Sequence, residues 1–207
     1  MVFLFDSLEQ IRGSLSNERE VTHSVEVLFS THLKSLEIPY IHVVYTVPPW
    51  LKFVLPGLSM FVLPCLRLWD NDSGRSECNS GASALSFLVK KRFSEEGLHR
   101  FFGSNPLSRI GKVIALSGGH FRDLLLLLRE TVLRTDELPV PEEAVDRAIV
   151  RVRSNFLPIA IEDAKWLADI ERERDTLLRT TDAVEVNRST RLLDTHVVLY
   201  LKNGTEW

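Results

Sequence analysis

The chain has 207 residues and a formal net charge of −3, with enough apolar side chains to fill a core. That balance gives no overall basic field to hold nucleic acid or an acidic membrane. Its two cysteines, Cys65 and Cys78, have neither CxxC nor metal-ligand spacing, which fits a reducing cytosol.

The first element is the run Val2-Phe3-Leu4-Phe5, which leads directly into Asp6, with Glu9 three residues on. A continuous apolar run of this composition predicts a strand buried on both faces, as in a parallel sheet. Asp6 then stands at the carboxyl end of the strand, where open α/β sheets bind ligands, and a carboxylate there suits Mg²⁺. The alternative is a buried strand whose Asp caps the next turn. Residues 10–20 are polar and read as a loop. From Val21 to Leu36, apolar residues recur at helical spacing. Tyr40 to Val47 is a second β-branched and aromatic run, closed by Pro48-Pro49. The first 47 residues therefore predict a strand–helix–strand unit with a right-handed parallel crossover.

Residues 50–69 are the one membrane candidate. Lys52, Pro56, Gly57, Pro64 and Arg67 leave it short of the roughly 20 apolar residues that a spanning helix needs. The stretch is expected to be a short helix, a turn and a third strand, Phe61 to Trp69, pushed to a sheet edge by Pro64. With no basic leader ahead of the first strand, the chain is expected in the cytoplasm, away from membranes.

Residues 70–83 are a polar boundary loop, and helices follow it. Ala84 to Phe102 is read as one helix, and Asn105-Pro106 starts the next. Ser117-Gly118-Gly119 ends that one. His120 to Leu133 carries five consecutive leucines and must be buried on most sides. Pro139-Val140-Pro141 punctuates, and Glu142 to Arg153 is a helix with acids in its first turn. Ile159 to Asp175 is another, and a short helix lies near Ser189 to Leu193. Lys202-Asn203-Gly204 between apolar flanks signals a hairpin. Helices and then a hairpin look like a winged helix. The expected organisation is α/β then mostly α: a partial core at 1–72, a helical lid at 83–138 and a winged-helix-like unit at 139–207.

Three patches follow one another in order: Val2 to Asp6 with Glu9, the strand ending in Thr46, and Ser117-Gly118-Gly119-His120-Phe121-Arg122. Together they resemble the second half of the ATPase core of the AAA+ and STAND families of P-loop NTPases. The resemblance implies a partial parallel P-loop-type sheet and a helical lid, with ATP and Mg²⁺ as cofactors. Asp6 would orient Mg²⁺ and its waters, and Glu9 would polarise the attacking water. Thr46 would be the first sensor. Arg122 would be the second sensor, reaching the γ-phosphate from the lid. Phosphoryl transfer needs these residue types because it is mostly positioning and charge neutralisation.

The sequence departs from the family in two places. GxxxxGK[ST], the loop that cradles phosphates, is absent; the only Gly-Lys pair is Gly111-Lys112, followed by Val113. Ser7 follows Asp6 where family members usually carry Glu. The chain is therefore expected to be a C-terminal portion of such an ATPase, inactive in hydrolysis alone. It would be part of a longer protein, or work in a homo-oligomer or with a separate P-loop-bearing chain. The alternative is a non-catalytic module whose winged-helix-like tail binds DNA or a protein. Arg147, Arg151 and Arg153 are its candidate phosphate contacts, although such a run also suits a solvated helix face. The six histidines have no HxxxH or HExxH spacing, and no GxSxG marks a hydrolase triad.

Overall fold

The computed structural model describes residues 1–8, 11, 17–70, 74–173 and 182–201. Among these the chain is mostly helical, with one small parallel sheet. It divides into two compact units, Met1–Val62 with Asp182–His196, and Leu63–Thr181 with Val197–Trp207.

In the first unit, strand β1 (Val2–Phe5) leads to helix α1 (Glu18–Ser30), a 3-10 turn (Leu33–Leu36) and strand β2 (His42–Tyr45). β1 and β2 pair in parallel, Val2 opposite His42 and Phe5 opposite Tyr45. This is the strand–helix–strand order expected from the sequence. The helix is shorter than its apolar spacing suggested. Ser30, Thr31 and His32 are weak helix formers. Thr31 caps the helix, and the chain resumes as the 3-10 turn.

The core of this unit is Val25 and Phe29 from α1 against Trp50 and Leu51, the last opening helix α2 (Leu51–Val54). Tyr45 joins the layers. Its ring stacks on Phe5 at 5.1 Å and meets Phe29 edge-on at 6.1 Å. Its hydroxyl donates to the Leu36 carbonyl at 2.7 Å.

Burial on both faces does not hold for β1. Phe3 and Phe5 share a face with Val43 and Tyr45, and are 42% and 44% exposed. Val2 and Leu4, on the other face, are each 63% exposed. An apolar run records a tendency to be buried; among the described residues only two strands form the sheet.

The expected third strand is also corrected. Residues 61–69 make only isolated bridges, Cys65 with Leu201 and Trp69 with Glu77. Pro64 cannot donate to a ladder. Cys65 N–H instead donates to Tyr200 at 2.9 Å, and Leu66 N–H to the Gly119 carbonyl at 3.0 Å.

The second unit is built from α3 (Asn79–Arg92), α4 (Glu95–Phe102), α5 (Pro106–Leu116), α6 (Phe121–Leu133), α7 (Glu142–Ser154) and α8 (Ile161–Glu173). α9 (Ala183–Asp194) belongs to the first unit. The single helix expected over 84–102 is two, because Ser94 caps a new one and accepts from Gly97 N–H at 3.0 Å. Asn105 and Pro106 start α5 as expected, the Asn side chain accepting from Ser108 N–H. Of the five leucines, Leu124, Leu127 and Leu128 are buried, joining Leu85, Val89, Phe102, Ile110, Val113 and Val140 in one core. The turn of the expected hairpin, Lys202-Asn203-Gly204, lies outside the described residues.

Two glycines meet backbone at close approach in this unit. A Cβ on Gly119 would stand 1.7 Å from the Leu66 carbonyl oxygen, and Gly119 has φ +89°. A Cβ on Gly81, inside α3, would stand 2.0 Å from the Arg67 carbonyl oxygen. Gly111, inside α5, has open space around it. Gly119→Ala and Gly81→Ala are each expected to destabilise the fold by at least the ~1–3 kcal/mol typical of overpacking. Gly111→Ala should stabilise it by roughly 0.5–1 kcal/mol through helix propensity. Thermal denaturation checks the opposite signs; equal shifts in all three variants would refute the packing described.

Candidate functional site

Parallel pairing places the carboxyl ends of β1 and β2 side by side. The residues just beyond them are Asp6 and Thr46. Thr46 N–H donates to the Phe5 carbonyl at 3.0 Å, which extends the ladder by one bond and aims the Thr46 side chain. Its hydroxyl donates to Asp6 Oδ1 at 3.1 Å. The Ser7 backbone N–H donates to the same oxygen at 2.9 Å. Ser7 has φ +74°, a left-handed turn that is uncommon for a residue with a Cβ. Two donors thus hold one carboxylate oxygen. No hydrogen bond reaches Oδ2 among the described residues, and Asp6 is exposed.

This end of the sheet fits half of what an ATPase site requires. Asp6 is exposed and Thr46 half-buried, and both offer hard oxygen, the ligand type that Mg²⁺ takes while keeping several waters. The phosphates of a nucleotide require a cradle of backbone N–H groups and a lysine. No GxxxxGK[ST] occurs in the sequence to supply one.

The other predicted residues stand apart from this pair. Glu9 lies outside the described residues. Arg122 belongs to the second unit, exposed in the first turn of α6. A cation there opposes the helix dipole, which favours anions at that end. Glu130, on the same helix, pairs with Arg134 at 3.2 Å. Arg147 donates to the Arg134 carbonyl at 3.3 Å. Arg151 and Arg153 are exposed in the last turn of α7, where cations are favourable. The acids of the same helix, Glu142 and Asp146, each lie 3.0 Å from Lys112.

Comparison with protein-family models, curated proteins and solved structures finds no match.

Three groups with reactive chemistry were not singled out by sequence pattern. His120 and Asp123 form a pair at 2.8 Å across the first turn of α6, both largely covered. Their i, i+3 spacing at a helix start was the available signal. Cys78 precedes α3 as its cap residue. The Ser80 hydroxyl, 3.2 Å from its sulfur, is the main group drawing its thiol pKa down, helped by the Gly81 N–H and Arg67. Cys65 is the opposite case. Burial first, and the Asp123 charge second, push it up to about 11.

These shifts give a labelling order. The thiolate is the reacting species. Lowering its pKa raises the thiolate fraction of Cys78 at a given pH, and raising it keeps Cys65 a thiol through neutral pH. Iodoacetamide at pH 7.5 is expected to modify Cys78 at least tenfold faster than Cys65, with the difference abolished in denaturant. Peptide mass mapping over time measures it; equal native rates would contradict both environments.

Proposed function

We propose that this chain is a C-terminal portion of an AAA+/STAND-like ATPase, contributing the metal-water side of a nucleotide site and not the phosphate cradle. The observation that carries the reading is the 3.1 Å bond from Thr46 to Asp6 at the adjacent ends of two parallel strands. An acid for Mg²⁺ and a hydroxyl beside it are what a Walker B strand and a first sensor need. Mg²⁺, when bound, would neutralise developing charge on transferring phosphoryl oxygens. Thr46 and the Ser7 N–H fix the Asp6 carboxylate. Oδ2 is the oxygen that would hold Mg²⁺ or its waters. Arg122 is the candidate second sensor, carried on the first turn of α6. Ser117-Gly118-Gly119 sets the start of that helix. The partner that completes the site would be a phosphate-loop-bearing chain or another copy in an oligomer.

The test uses purified chain, ATP and Mg²⁺. Phosphate release is expected to stay at the blank rate. A fluorescent ATP analogue should bind weakly and only with Mg²⁺, and lose most of that binding in Asp6→Asn and in Thr46→Val. Two results would overturn the reading. One is phosphate release above blank that Asp6→Asn abolishes, since the phosphate site would then lie within this chain. The other is Mg²⁺-dependent binding unchanged by both substitutions.

A second reading is a DNA- or protein-binding module. It is favoured by the disposition of charge on α7, where Lys112 engages Glu142 and Asp146 while Arg151 and Arg153 stay exposed. Phosphate contacts would make duplex DNA binding steeply salt-dependent. On this reading, Arg151→Ala/Arg153→Ala weakens a gel shift at least fivefold at 50 mM salt; no shift at that salt would eliminate it.

A further inference from the structure

We draw no further inference here: the strongest candidate, the side-chain cluster of His120 and Asp123 across the first turn of α6, 2.8 Å apart and largely covered, brings together only two ligand side chains among the described residues of its own unit, too few to hold a metal ion.

Discussion

The second unit depends on one stretch of backbone passing between two glycines. The Leu66 carbonyl lies against Gly119 and the Arg67 carbonyl against Gly81. Side chains cannot be accommodated at either crossing, so the separation of backbones is set by atoms that never vary. Leu66 N–H bonds the Gly119 carbonyl, and Cys78 N–H bonds the Leu68 carbonyl. The segment thereby ties the start of α3 to the start of α6. The four helices from α3 to α6 then close one core around Leu85, Phe102, Ile110 and Leu124. The Gly-Gly before α6 therefore has a packing cause that stands on its own, whatever Arg122 does.

The candidate site depends on a different kind of constraint. Parallel strands need a crossover, and α1 supplies it by burying Val25 and Phe29 on the unit's core. That order was legible because its signals are local. The continuous apolar runs, the period-3.6 pattern between them, the Pro-Pro after β2 and the acid and hydroxyl at the strand ends each sit within a few residues of the element they mark. Asp6 stands out at its strand end and Thr46 through the family resemblance, and the structure puts them in hydrogen-bond contact.

What could not be read depended on distant partners. The burial of β1 depends on neighbours that its own four residues do not encode. The run 61–69 has strand composition, yet Gly119 and Tyr200 take the bonds that a ladder would have made. The break at Ser94 is the exception, a local cap whose hydroxyl accepts from Gly97 three residues on. The unlike chemistry of Cys65 and Cys78 comes from burial and Asp123 at the first, and from Ser80, two residues on, with Arg67 brought close by the fold, at the second.

Tyr45 has a consequence for the spacing of the site. Its ring is held between Phe5 and Phe29 and its hydroxyl is anchored on Leu36. A strand shifted by one residue would turn every side chain to the other face. A shift by two would keep the faces but move Asp6 and Thr46 about 6.6 Å apart along the strands. Three contacts on one aromatic ring therefore act as a ruler, and the closeness of an acid and a hydroxyl at the sheet's edge is measured from inside the core.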